Sequence, residues 1–470
     1  MKRVYLLTGF LIVLMGCTTG QKVEWVSTTN SQTWVSNTGT LTIKSNAADL
    51  AIRIFPDSVK QTVDGFGGCF NELGWDALQT LTDQNRKDVL KNLFDTIRGC
   101  RFTIFRMPIG ANDYAVDWYS HDETAGDLDM KNFSLKRDRQ RLIPYIKAAQ
   151  RYIPGMNVWA SPWSPPSWMK TNNHYACASN SQFNDLPADR QGIEMTTQFR
   201  MEPKVLEAYA LYFEKFIQGY QNEGIPISAV HVQNEMNSCQ PFPSCIWRPE
   251  DLATFIGKYL GPRFEADGIA ANIWLGTIER PQIERVDTIL QNKDAAKFIK
   301  GVGFQWAGQG AIAEVHRKYP EMKLMQTETE CGDGSNDWKA AEHTFDLMKH
   351  YFKNGANAYM YWNMVLDETG KSQWGWKQNS MISIDKASGK VVYNPEFYLM
   401  KHLSYFVKPG SKYLKVSGDE NCLAFLTDNH VVILYYNADE TDKTKSFILR
   451  GQMFTVSLKG KSFNTFRVKI

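Results

Sequence analysis

From about residue 62 onward, short apolar runs alternate with longer amphipathic segments. The runs at 62–67, 102–108, 157–161, 229–233, 273–276, 301–306, 323–327 and 358–362 have the length of buried strands. Between them, segments such as 83–94, 135–150, 203–222, 249–264 and 338–354 are helix-like, several with apolar residues three and four apart. Eight strand-then-helix repeats predict an α/β fold, a (β/α)8 TIM barrel. The texture changes toward the end. After a helix-like stretch at 395–406, the runs 414–417, 422–427, 430–437, 446–449 and 462–468 are strand-length and separated by turn residues, with no helix between them. Residues 23–54 have the same strand-and-turn character, so the N- and C-terminal strands are expected to build one attached β-sandwich. The division expected is 18–61 for a tether and N-terminal strands, 62–394 for the barrel, and 395–470 for the last barrel helix and the C-terminal strands.

The first residues follow another logic. Lys2 and Arg3 precede an apolar run, 4–15, which is too short to span a membrane comfortably and is laid out like an export signal. It ends Leu14-Met15-Gly16-Cys17, which resembles a bacterial lipobox with Cys17 as the lipidated first residue of the mature chain. The competing reading is a plain secretory signal with an incidental cysteine. The expectation is a signal peptide at 1–17 and an exported bacterial lipoprotein, anchored to the membrane at the cell surface or in the periplasm through its lipid alone.

Charge and cysteine content narrow the partners. With 53 basic and 50 acidic residues and no basic block, nothing points to nucleic acid. Fourteen Trp, 20 Tyr and 26 Phe belong mostly in the core, but aromatic faces also stack on sugars. Setting Cys17 aside leaves Cys69, Cys100, Cys177, Cys239, Cys245, Cys331 and Cys422, an odd number that cannot all pair internally. Cys239 and Cys245 flank Gln240-Pro-Phe-Pro-Ser244 and could bridge it in an oxidising compartment. No Cys-x-x-Cys, His-Glu-x-x-His or EF-hand pattern occurs, so no metal site and no cofactor are expected.

The candidate chemistry sits at strand ends. Residues 229–235 read Ala-Val-His-Val-Gln-Asn-Glu, an apolar strand that stops at an amide and a carboxylate, and 323–328 read Lys-Leu-Met-Gln-Thr-Glu. One such Glu alone is an ordinary solvated charge. Glu235 and Glu328 at the C-terminal ends of two barrel strands would both stand over the mouth, where barrel enzymes keep their chemistry. Paired carboxylates across a groove are the apparatus of glycoside hydrolysis. Other ends carry Gly67-Gly68, Arg106 followed by Asp113, Ser161-Pro162-Trp163, Gln305-Trp306 and Trp362-Asn363, polar or aromatic choices that packing does not readily explain.

These residues carry a resemblance. Phe66-Gly-Gly, Arg106-Met-Pro-Ile-Gly, Ala160-Ser-Pro-Trp-Ser-Pro-Pro-Ser-Trp-Met-Lys170, Gln233-Asn-Glu, Thr327-Glu and Tyr361-Trp-Asn, in this order, resemble glycoside hydrolase family 30, which holds glucosylceramidases, β-1,6-glucanases, β-glucosidases and xylan-active enzymes. The resemblance implies a barrel with a β-sandwich and a retaining β-glycosidase acting on β-glucan or a β-glucoside. It makes Glu235 the general acid/base, Glu328 the nucleophile and Asn234 the partner of the sugar 2-hydroxyl. Arg106 would keep the nucleophile charged, and Asp113, Trp163 and Trp362 would hold the glucosyl unit; Trp306 and Asn363 join them as strand-end candidates. One departure stands out: glucosylceramidase-type members support the nucleophile with a Tyr near the end of the sixth strand, where this chain has Ala307.

Three alternatives stay open. Glu330, two residues past Glu328, is a second nucleophile candidate. Gly308-Gln-Gly310-Ala-Ile-Ala313 fits a dinucleotide-binding fingerprint with Glu328 downstream, though that motif belongs to a doubly wound sheet. The chain could also be a non-catalytic glycan-binding surface lipoprotein, or a xylan-active member of the same family. For the anchor, Cys17→Ala should move the protein from the membrane fraction to the soluble fraction without loss of activity; unchanged membrane association would remove the lipid.

Overall fold

The computed structural model describes residues 22–40 and 51–470. The export signal and Cys17 lie outside the described residues. Eight parallel strands close into a barrel in chain order: Gly65–Cys69, Ile104–Ile109, Asn157–Pro162, Ile227–His231, Asn272–Ile278, Ile299–Gln305, Lys323–Glu328 and Ala358–Asn363. They are buried almost throughout, as strands covered on both faces must be. Adjacent strands approach so closely that a Cβ on Gly67 would come within 1.5 Å of the Ile104 carbonyl oxygen. Within the barrel, Trp159, His231 and Trp274 stack at 3.9 and 5.1 Å and pack with Ile104, Met325 and Met360. Together they plug the barrel as a floor for the mouth above.

The surrounding helices bury one stripe each. Trp338–Lys353 covers Ala341, Phe345, Met348 and Phe352, and Asp337 caps it by accepting from the Ala340 amide at 3.0 Å. The helix expected at 249–264 is interrupted: Pro249–Phe255 passes through a π-helical turn, Ile256–Leu260, into Gly261–Ala266. Pro262 has no amide hydrogen for the ladder, and the wider turn lies just before it.

The terminal strands form one nine-stranded sheet, in which Lys22–Thr28 pairs with Ser462–Lys469 and Ile52–Thr62 with Lys412–Ser417. Strands far apart in the hydrogen-bonded order nevertheless touch, with Phe447 and Phe466 at 5.2 Å and Phe454 and Phe466 at 5.6 Å. The sheet therefore folds over itself into a sandwich with its own apolar core.

Several local readings need correction. The run at 62–67 straddles two strands, because the sheet strand Ile52–Thr62 ends where the chain turns through Val63 and Asp64 into the barrel. Gln452–Leu458 is a further sheet strand, and Val365–Asp367, Ile382–Ile384 and Val391–Tyr393 make a small separate sheet. Cys239 and Cys245 do not bridge their loop; all seven described cysteines are free thiols. Backbone pairing of Cys177 N with Gln240 O at 3.0 Å turns this loop toward the 177 segment. Cys239 accordingly donates to the Gly192 carbonyl at 3.3 Å and faces Cys177.

Barrel and sandwich are fastened by the helix Pro395–Ser404. His402 is buried, with Nδ1 2.9 Å from Thr465 Oγ1 and Nε2 2.9 Å from Thr28 Oγ1. Thr465 Oγ1 also donates to the His402 carbonyl, so it accepts from Nδ1–H and leaves Nε2 to accept from Thr28. Burial pushes His402 from its ordinary 6.5 down to about 3. The unfolded chain binds a proton near 6.5 that the fold refuses until about 3, so stability drains as pH falls through that window. His402→Gln should flatten the fall of the unfolding midpoint across this range. An unchanged slope in a pH series of thermal melts would assign the acid sensitivity to other groups.

Candidate active site

Each barrel strand that ends in a polar or aromatic residue delivers it to one mouth. Arg106 points inward from the second strand and is fully buried. Its Nη1 donates to Glu328 Oε2 at 2.8 Å, and its Nη2 to Asn234 Oδ1 at 2.7 Å and Ser161 Oγ at 3.0 Å. Three indoles surround the guanidinium, those of Trp163, Trp159 and Trp362 at 4.4, 5.1 and 5.1 Å. At the end of the sixth strand, Gln305 Nε2 reaches both acids, Glu235 Oε1 at 2.9 Å and Glu328 Oε2 at 3.2 Å. That shared donor keeps these two oxygens within about 6 Å of each other, so the two carboxyls face one another across the mouth as glycoside hydrolysis requires.

Two residues hold backbone conformations that L-residues seldom adopt. Glu235 has φ +51° and Trp306 φ +48°. The Glu235 amide donates to the Thr277 carbonyl at 3.1 Å, and Trp306 aims its indole Nε1 at Glu328 Oε1 at 3.2 Å. The indole thus supplies a donor to this carboxylate where the sequence lacks a Tyr.

Burial raises both acids. Glu235 is held above the ordinary glutamate range. Glu328 is pushed up to about 7 by burial, pulled back by Arg106 and raised again by the charge of Glu235. The pair therefore loses its protons in separate steps. Glu328 receives Arg106, Trp306 and Gln305, whereas Glu235 receives Gln305 as its closest donor, so the ionised form belongs on Glu328. Asp113 is also raised, by burial and then by Glu328, and its Oδ1 has no protein partner.

The mouth opens into a pocket of ≈ 390 Å³ whose lining includes Asp113, Trp163, Asn234, Glu235, Trp306 and Glu328. Trp362 and Asn363 stand behind this lining. Trp362 stacks on Trp163 at 5.4 Å, with Nε1 buried and unpartnered. Asn363 bonds Asn71 and holds Gln378, which does line the pocket. Glu330 is outside it, engaged by Gln309 at 3.0 Å and His343 at 3.0 Å. The dinucleotide reading fails on context: Trp306–Gly310 is a 3-10 turn following a strand of a closed barrel, and a Cβ on Gly308 would meet the Ile278 carbonyl oxygen at 2.0 Å. Among the described residues, no group of three or more His, Cys, Asp or Glu is arranged to hold a metal.

Glu279 and Arg280 also line the pocket, although neither stands out in the sequence. The fifth strand reads as ending at Gly276 but runs on to Ile278, which brings Thr277 and Glu279 to the mouth. Phe242 and Trp376, 4.7 Å apart, come from long loops whose paths no local pattern gives.

Two acids on the fourth and seventh strand ends of a (β/α)8 barrel, close enough to share one amide donor, define a glycoside hydrolase. The chain belongs to glycosyl hydrolase family 30, whose TIM-barrel domain is matched over residues 63–407. It is 29% identical over 376 residues to "Putative glucosylceramidase 1" of Caenorhabditis elegans, covering 75% of this chain and 68% of the relative. It is 26% identical over 385 residues to the endo-1,6-beta-D-glucanase of Neurospora crassa, covering 78% and 75%. The fold is similar to that of the endo-beta1,6-glucanase BT3312, with TM-score 0.81 and 24% identity over 95% of this chain and 99% of that one.

Proposed function

We propose that this hydrolase is a retaining β-glycosidase that cleaves β-linked glucosyl bonds by double displacement, with Glu235 as acid/base and Glu328 as nucleophile. The single observation that carries the reading is the Gln305 amide shared by both carboxyls. Glu328, ionised beside Arg106, attacks the anomeric carbon while Glu235 protonates the departing oxygen; Glu235 then takes a proton from the water that hydrolyses the glycosyl-enzyme. Asn234 Oδ1 accepts from Arg106, Thr277 and Gln305, which leaves its NH2 free for a sugar hydroxyl. The unpartnered Asp113 Oδ1 and the Trp163 face suit the hydroxyls and apolar face of the same ring.

The outer wall combines the rings of Phe242 and Trp376 with the polar groups of Gln240, Gln378 and Arg280, a mixture that fits a sugar leaving group. Relatives named glucosylceramidase and endo-1,6-beta-D-glucanase both point to glucosyl bonds, and a glycan is the favoured substrate over a sphingolipid. In the same proposal the enzyme works outside the cytoplasm, held by the lipid on Cys17. Product profiles on β-1,6-glucan, β-1,3-glucan, xylan and glucosylceramide test the substrate. Xylan cleavage alone would redirect the reading within the family, and failure on every substrate would favour a binding protein.

Glu328→Gln should abolish turnover, since no covalent intermediate forms. Glu235→Ala should lose about 10²-fold or more on glycans while sparing activated aryl glycosides, with azide returning a β-glycosyl azide. An active Glu328→Gln, or a first product of inverted configuration, would overturn the assignment. Trp306→Phe removes a hydrogen bond that lowers the Glu328 pKa. The acid limb of its kcat/KM profile should therefore move to higher pH; a limb that stays put removes the indole from this role.

A further inference from the structure

Glu279 is 1% exposed, lines the same pocket as Glu235 and lies at the end of the fifth barrel strand. Its Oε1 accepts from the Asn237 amide at 2.9 Å and from Ser238 Oγ at 3.2 Å, and its Oε2 from Asn237 Nδ2 at 3.4 Å. Asn237 and Ser238 belong to the turn that Glu235 opens, closed by Ser238 N donating to the Glu235 carbonyl at 3.0 Å. Glu235 enters that turn at φ +51°, a conformation that persists only where its surroundings impose it. Thr277, two residues before Glu279, holds the Glu235 amide at 3.1 Å. The end of the fifth strand therefore grips the acid-bearing turn from both sides.

A carboxylate is an unfavourable choice for mere packing here. It is raised by burial and then by the charge of Glu235, effects that Arg280, whose Nη1 lies 3.9 Å from Oε1, offsets only in part. Its use is as an acceptor-only group with room for several donors, which neither an amide nor an apolar side chain reproduces. We propose that Glu279 is a positioning residue: by accepting from Asn237 and Ser238 it fixes the turn that aims the Glu235 carboxyl at the departing oxygen. This rests on Glu235 being the acid, and the test separates the two ideas.

The readout is leaving-group dependence. A dinitrophenyl glucoside departs without a proton, whereas a phenyl glucoside needs one, so misplacing the acid harms only the second. Glu279→Ala should lower kcat/KM on the phenyl glucoside by about 10²-fold and on the dinitrophenyl glucoside by less than about threefold. Glu279→Gln, which keeps the shape and one acceptor oxygen, should fall between wild type and Glu279→Ala, and its thermal midpoint checks that the fold persists. Glu235→Ala serves as the reference for a missing acid. If Glu235→Ala discriminates between the substrates and folded Glu279 variants lose both equally, or lose neither, the positioning role is overturned while the acid stands. If Glu235→Ala itself fails to discriminate, the acid assignment falls and this role with it.

Discussion

A guanidinium with no solvent exposure sits at the centre of this barrel, and the mouth is organised by the need to satisfy it. Arg106 draws its acceptors from the third, fourth, sixth and seventh strand ends: Ser161, Asn234, the Gln305 oxygen at 3.3 Å, the Thr327 carbonyl at 3.3 Å and Glu328. Removing one partner from such a buried pair costs about 3–5 kcal/mol, because the charge left behind has no water to turn to. The register of those strand ends is therefore tied to one side chain. The same charge favours the ionised form of Glu328 and, together with burial, keeps His231 in the floor neutral.

Several features that are individually unfavourable converge on the site. Glu235 and Trp306 adopt left-handed backbone, Asp113 leaves a buried oxygen without a protein partner, and four raised carboxyls, those of Asp113, Glu235, Glu279 and Glu328, share one pocket. Each feature is unfavourable to the empty protein and is tolerated because a large core surrounds it. The strain lies on the residues whose direction matters most.

The sequence was most legible where one residue's period or type decides the outcome. All eight barrel strands follow from apolar runs, and Glu235 and Glu328 from the abrupt ends of two of them. What escaped depends on contacts distant in sequence. Glu279 is hidden because the fifth strand continues two residues past its apparent stop at Gly276. The role of Gln305 rests on its reach to two acids 70 and 23 residues away. Cys239 turned from the nearby Cys245 to the distant Cys177 because backbone pairing, rather than chain proximity, sets its direction.

The first and last described strands meet in the folded sheet, with Lys22–Thr28 bonded along Ser462–Lys469. During synthesis the first of these strands leaves the ribosome long before its partner exists, and it waits with an open edge through the making of the entire barrel. The sheet closes only after Ser462–Lys469 has been made. The barrel, complete by residue 407, has every strand it needs earlier than that. The order of assembly is thus constrained by topology, with every strand of the catalytic barrel made before the flanking sheet can close.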